Sequence, residues 1–197
     1  MRFSLHDLGN TDIYLLDQIM KGRYKTTDAI LDAGCGEGRN LPWFLLNNIS
    51  IYGIDSNVAS NAALKTRYPH LPGNTFLQAP LERMPFKDDY FNHIICSAVL
   101  HFAKSTDHFY GMISELVRVL TPGGSLFIRM TSNIGIEKKV GLISDGVYRI
   151  PDGSERFLLT RSLLKKIIRQ HHLLFLEPLK TVNVNDERCM STLVFQK

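Results

Sequence analysis

Along the chain, short apolar runs alternate with stretches in which apolar residues recur every three or four positions. Ile13, Leu16, Ile19 and Met20 keep the second spacing and predict a helix from about Asn10 to Lys21. Ala29-Ile30-Leu31 is a brief apolar run ended by glycines, which predicts a strand. Between Arg39 and Asn47 the apolar residues predict a helix, with Pro42 tolerated in its first turn, where no N–H partner is lost. Ile51 to Asp55 reads as the next strand. Asn57 is placed to cap a helix reaching Tyr68, which Pro69 and the Pro72-Gly73 pair stop. Thr75 to Gln78 reads as a strand, and so does Phe91 to Cys96, apolar enough to be covered on both faces. A helix from Thr106 to Leu120, a Thr121-Pro122-Gly123-Gly124 turn and a strand from Ser125 to Met130 follow.

Five alternations of strand and helix predict parallel strands joined by helical crossovers, an α/β open sheet with helices on both faces. The end of the chain breaks this rhythm. After a helix at Thr160 to His171, the runs Leu173 to Leu179 and Met190 to Gln196 have a short connection that suits antiparallel pairing, so one edge strand is expected to run against the rest. With 197 residues and no repeat or linker, residues 1–197 are expected to form a single domain. Two segments lie outside the alternation. Residues 10–24, with Tyr14 and the Lys21-to-Tyr24 exit, make a candidate lid. Residues 131–159 make an insertion in which Val147–Ile150 and Arg156–Leu159 flank a Pro151-Asp152-Gly153-Ser154 turn. That pattern predicts a hairpin flap able to bring Tyr148, Arg149 or Arg156 to a small acceptor.

In an open parallel sheet, ligands bind outside the carboxyl ends of the strands, so chemistry is sought just after each strand. The first strand is followed by Asp32, Gly34, Gly36 and Gly38 in the pattern D-x-G-x-G-x-G. Glycines there let the backbone turn sharply and approach a ligand, while the next helix points its N–H groups into the same space. A dinucleotide fingerprint would need glycine where Arg39 stands, and no G-K-[ST] ending makes a phosphate loop. Asp55 closes the second strand, where an acid reaches both hydroxyls of an unphosphorylated ribose. Asp32 suits the ammonium group of an amino acid, and the loop N–H groups suit its carboxylate. A ribose joined to a zwitterion is S-adenosylmethionine.

Over almost its whole length the sequence resembles the class I S-adenosylmethionine-dependent methyltransferases. LDAGCGEGRN is similar to that family's first motif and YGIDSN to its second. FLQAPLERMPFKDDYFNHIICSAVLHF resembles the adenine-flanking stretch with the fourth strand, and ELVRVLTPGGSLFI the helix, turn and fifth strand. Among small members it resembles the tellurite-resistance, thiopurine-type and type 11 branches. The resemblance implies a Rossmann-like, doubly wound sheet of seven strands, with S-adenosylmethionine as cofactor and S-adenosylhomocysteine as product. It places Asp32, Gly34, Cys35, Gly36 and Asn40 at the methionine end, Asp55 and Ser56 at the ribose, Leu81 and Glu82 at the adenine edge, and Ser97 at the middle. One departure stands out. Pro80 occupies the position where the family often has an acid that receives the adenine amino group.

The acceptor is less legible. His101, after the fourth strand, is the candidate to position or deprotonate it, whereas His93 reads as a core histidine. His171 and His172 close a helix, where a cation meets the negative end of the dipole. CSAVLHF after the fourth strand differs from the N-P-P-aromatic tetrapeptide of amino methylation, and no Pro-Cys pair is present to attack a pyrimidine ring. A small molecule with an O, N or S nucleophile is therefore the expected acceptor. A formal net charge of +4, a pI near 9.0 and the Lys165-Lys166-Arg169 cluster keep nucleic acid or protein as the second candidate. A non-catalytic cofactor-binding protein is the third. Cys35, Cys96 and Cys189 lack metal or disulfide spacing, so no metal is expected. Apolar runs are too short for a membrane span, and the opening residues lack the apolar stretch of an export signal, so a cytoplasmic location is expected.

Overall fold

Five parallel strands form the centre of the sheet in a computed structural model that describes residues 8–197. They are β1 (Ala29–Ala33), β2 (Ser50–Asp55), β3 (Phe76–Gln78), β4 (Phe91–Ser97) and β5 (Leu120–Ser132). The opening residues 1–7, on which part of the export-signal expectation falls, lie outside the described residues. From β1 the chain adds β2 and β3 on one side, then crosses back to add β4 and β5 on the other. The order therefore reverses between β1 and β4, where Leu31 faces Ile94 and Asp32 faces Ile95. A crevice opens at that point, past the carboxyl ends of the two strands.

The crossovers are helical for local reasons. Asp12 accepts the Tyr14 N–H to start α1 (Ile13–Met20), and Pro42 occupies the first turn of α2 (Pro42–Leu46). The Asn57 side chain accepts the N–H groups of Ala59 and Ser60 at the head of α3 (Val58–Arg67). Ser105 and Thr160 cap α4 (Thr106–Val119) and α5 (Arg161–His171) in the same way. α5 buries Leu163, Leu164 and Ile167 and turns its lysines outward. Two apolar layers result, one around Phe91, Phe109 and Phe195, the other around Phe44, Phe76 and Phe127. Each fully buried aromatic or leucine there adds about 1.5–3 kcal/mol.

The carboxyl-terminal strands extend the expected architecture. The apolar run Leu173–Leu179 holds only the two-residue β9 (Leu174–Phe175), and β10 (Lys180–Val184) begins just past it; both pair with β11 (Arg188–Gln196). β11 runs antiparallel to β5 and lies between β5 and β10, so the antiparallel strand sits one place in from the edge. The count rises to eight strands because β9 is separated from β10 by Pro178. The Thr121–Gly124 turn is absorbed into β5 as a bulge. Leu120 pairs with Phe91 and Ser125 with His93, leaving Gly123 at a φ of +78° in between.

After β5 the chain builds a small antiparallel sheet of β6 (Gly141–Ser144), β7 (Val147–Arg149) and β8 (Glu155–Phe157). Phe157 anchors it. Its ring stacks on Phe109 of α4 at 4.8 Å and leaves room only for a glycine at Gly146. Strand alternation then sends the neighbouring Arg156 to the opposite side, above the carboxyl ends of the main sheet. No helix among the described residues is long and apolar enough to cross a membrane.

Candidate functional site

The glycine loop is held open by its neighbours. Gly34 and Cys35 both donate to the Ile54 carbonyl, at 2.7 and 3.0 Å, which ties the loop to the end of β2. Gly34, Gly36 and Gly38 all have positive φ. A Cβ on Gly34 would lie 2.4 Å from Val99, and one on Gly38 would lie 2.6 Å from Leu64, so both glycines serve close packing. Gly36 faces open space. Asp55 receives the Gly36 N–H at 2.8 Å and the Asn57 N–H at 2.8 Å, so the acid at the end of β2 is fixed by two loops. Ser56 beside it is exposed.

Asp32 is 1% exposed, and neither carboxylate oxygen has a hydrogen-bond partner. Burial pushes its pKa up to about 7, while Asn40 and Arg39, near but not in hydrogen-bonding geometry with it, pull the other way. Cys35 turns its thiol away from the open side of the loop, against Gly53 and Phe76, and burial raises that thiol well above its ordinary range. Only its main chain remains on the loop. Leu81 is buried in the core, and the Glu82 carboxylate lies 3.4 Å from His108 of α4.

Asn40 and Ser97 join a cluster that sequence reasoning did not foresee. Asp12, whose side chain is fully buried, receives the Ser97 hydroxyl at 2.9 Å and Arg129 Nη1 at 3.0 Å. Arg39 donates to Ser97 Oγ at 2.9 Å and lies 3.8 Å from Asp12. The Asp12 N–H in turn donates to Asn40 Oδ1, and the Arg129 guanidinium sits over the Tyr14 ring. One carboxylate thus pins the start of α1 across the crevice between glycine loop and β5. In sequence, the one available signal was Arg129, a lone charge inside an apolar strand.

Beyond Ala98 lies a cavity of about 390 Å³. Alternation in β5 and β11 sends Arg129 and Thr131, and Arg188 and Met190, into it, while Cys189 faces the core. Arg156 and Asp152 reach it from the small sheet. His101, in a 3₁₀ turn at Leu100–Phe102, lines the floor; it is 8% exposed and its Nδ1 has no partner. Burial, then Arg156 and Arg188, push its pKa down to about 4. His93 and His171 lie elsewhere. His93 bridges Ser125 and Asp28 at the amino end of the sheet, and burial lowers the pKa of His171 in the last turn of α5.

Comparison with known proteins accords with this geometry. Residues 31–128, from β1 into β5, match the model of a methyltransferase domain family. The phthiotriol/phenolphthiotriol dimycocerosates methyltransferase of Mycobacterium tuberculosis is 33% identical over 97 residues, which are 48% of this chain and 34% of that protein. The chain thus spans about a third of the length of that curated relative. An S-adenosylmethionine-dependent methyltransferase from Methanosarcina mazei superposes with a TM-score of 0.71 at 20% identity, covering 91% of this chain and 96% of that one. The 1,6-didemethyltoxoflavin-N1-methyltransferase of Burkholderia thailandensis, solved with its substrate and S-adenosylhomocysteine, gives 0.66 at 19%, covering 93% and 75%. At such identities the two structures speak for the fold alone. The matched segment holds the glycine loop, Asp55 and the β1–β4 crevice, so it ties that site to a methyltransferase domain, on a fold shared with S-adenosylmethionine-dependent methyltransferases.

Proposed function

We propose that this chain transfers a methyl group from S-adenosylmethionine to an oxygen, nitrogen or sulfur nucleophile of a small molecule. The observation that carries the reading is Asp32, a buried carboxylate with both oxygens unpartnered beneath an open glycine loop. A carboxyl that burial holds close to half-protonated near neutral pH is stabilised in its ionised form by a cation, and an α-ammonium supplies one. Asp55, already oriented by Gly36 and Asn57, keeps lone pairs for a pair of vicinal hydroxyls. In this reading Gly34, Gly36, Asn40, Ser56 and Ser97, with the main chain of Cys35, complete the cofactor site, Asn40 and Ser97 from the Asp12 cluster. Leu81 and Glu82 are kept as the adenine edge.

When bound, S-adenosylmethionine supplies a methyl carbon activated by its sulfonium, so the carbon–sulfur electron pair departs with a neutral thioether as the acceptor's lone pair forms the new bond. The chain's task is to align the acceptor and exclude water. In this reading α1, pinned by Asp12, serves as a lid on one side, and the β6–β8 hairpin region, whose Arg156 lines the cavity past Ala98, as a flap on the other. His101, neutral at physiological pH, takes the proton the acceptor atom loses. The Lys165 and Arg169 side chains border a groove beside Tyr110 of α4, on a helical face rather than at the strand ends, so they lend a nucleic-acid acceptor little support.

Calorimetry with S-adenosylmethionine and S-adenosylhomocysteine tests the reading. Wild-type protein is expected to bind both in the micromolar range, and Asp32→Asn is expected to weaken binding by about 30- to 100-fold, the worth of a buried charged hydrogen bond. Wild-type protein that binds neither ligand below millimolar concentration sinks the proposal.

A further inference from the structure

The cavity past Ala98 has an unusual lining for a pocket of its size. Three guanidiniums enter it from three different strands, Arg129 of β5, Arg156 of β8 and Arg188 of β11. Their internal pairing is incomplete. Arg129 donates Nη1 to Asp12 at 3.0 Å, yet its Nε is buried with no partner. Arg188 approaches Asp152 only to 3.9 Å. Arg156 makes no ion pair among the described residues; it rests over the Phe102 ring at 5.2 Å and gives one N–H to the Glu155 carbonyl. Against three cations the cavity and its wall hold two carboxylates, Asp12 and Asp152. On the same floor, His101 is more than nine-tenths buried and leaves Nδ1 without a partner.

We propose that the methyl acceptor is a small molecule carrying an oxyanion, a carboxylate or a phosphate, which Arg156 and Arg188 grip from either side of this cavity while Arg129 forms the rear wall. The inference rests on the methyltransferase reading and names the substrate class of that same site. A guanidinium presents parallel N–H groups that match two oxygens of a carboxylate or phosphate, and partial enclosure lets such a contact outweigh hydration. At about 390 Å³ the cavity fits a molecule of metabolite size rather than a polymer segment. The charged groups facing His101 are Arg129, Arg156, Arg188 and Asp152. Beyond the effect of burial, Arg156 and Arg188 disfavour its protonation, so an anion between them offsets their field and makes His101 a better proton acceptor.

The test titrates inorganic phosphate, benzoate and uncharged benzamide into the full chain by calorimetry, each with and without saturating S-adenosylhomocysteine. Phosphate or benzoate is expected to bind at millimolar concentration or tighter, and benzamide at least 10-fold more weakly. A preference between the two anions tells phosphate from carboxylate. Arg156→Met and Arg188→Met are expected to lower anion affinity at least 10-fold and leave S-adenosylhomocysteine binding within about two-fold; Arg188→Lys, which keeps the charge at a half-exposed position, is expected to lose less. Equal binding of benzamide and benzoate, absence of anion binding, or unchanged affinity in folded methionine variants overturns the proposal. Anion binding in a protein that fails to bind S-adenosylhomocysteine overturns the methyltransferase reading instead and leaves an anion site of another purpose.

Discussion

The proposed cofactor end and the proposed acceptor end meet across β4 but are assembled in opposite ways. Asp32, the glycines and Asp55 come from one unbroken strand–loop–helix–strand stretch, and most of their geometry is main-chain geometry. Arg129, Arg156, Arg188 and His101 come from four elements spread over the second half of the chain, and what they share is side-chain direction. A pocket made of backbone imposes residue types at fixed spacing, because only glycine tolerates its turns. A pocket made of side chains on strands imposes only a face, so it can be rebuilt for another acceptor by single changes that leave the sheet intact.

Substitutions in the loop are the strongest way to break that contrast. Gly34→Ala places a Cβ 2.4 Å from Val99 at a φ of +78°. The combined strain and overpacking are expected to cost about 2–4 kcal/mol of stability. Cofactor binding is expected to disappear with it. Gly36→Ala meets no atom and is expected to cost the fold only about 1–2 kcal/mol while still narrowing the ligand's approach. Thermal unfolding of the two variants side by side, followed by calorimetry, checks both statements; equal destabilisation would refute the division of labour within the loop.

Of intermediate size is the pH response of Asp32. Its carboxyl has an ordinary pKa of 3.8 and one near 7 in the folded chain. Between those values the folded form keeps a proton that the unfolded form has lost, so this group favours folding most below about pH 4 and withdraws that support as pH rises through 7. A bound ammonium favours the ionised form, so cofactor affinity is expected to move the other way, strengthening from pH 5 to 7. Asp32→Asn is expected to flatten both trends. Calorimetry and thermal melts across that range measure them, and an unchanged slope in the variant would assign the pH response to another group.

The smallest effect is expected at Cys35. Its thiol faces Gly53 and Phe76 rather than the ligand space. Cys35→Ala is expected to lower stability by about 1 kcal/mol and to shift cofactor affinity less than two-fold. A ten-fold loss of affinity would show that the side chain, and not only the main chain, reaches the cofactor.

How far the sequence spoke follows the same line. The order of the central strands and helices, the cap at Asn57 and the loop after β1 were legible, because periodicity and glycine placement are local properties. The run from Leu173 to Leu179 misled, since its apolar residues pack beside β11 while the longer pairing begins only at Lys180. Asp12 gave no signal at all. Its importance lies in meeting Ser97 and Arg129, 85 and 117 positions away, and no local pattern encodes such a meeting. Arg156 was visible as part of a hairpin, but Arg188 gained meaning only when β11 was found beside β5.

That buried Asp12 carboxylate also sets a boundary for anyone re-engineering the chain. Trimming into Thr11 and Asp12 would strip the counter-charge from Arg39 and Arg129 together. A single cut would then disturb the glycine loop and the acceptor wall at once, although neither lies near it in sequence. For the same reason, libraries that diversify the acceptor cavity are better built with residues 8–20 held constant than with the loop alone protected.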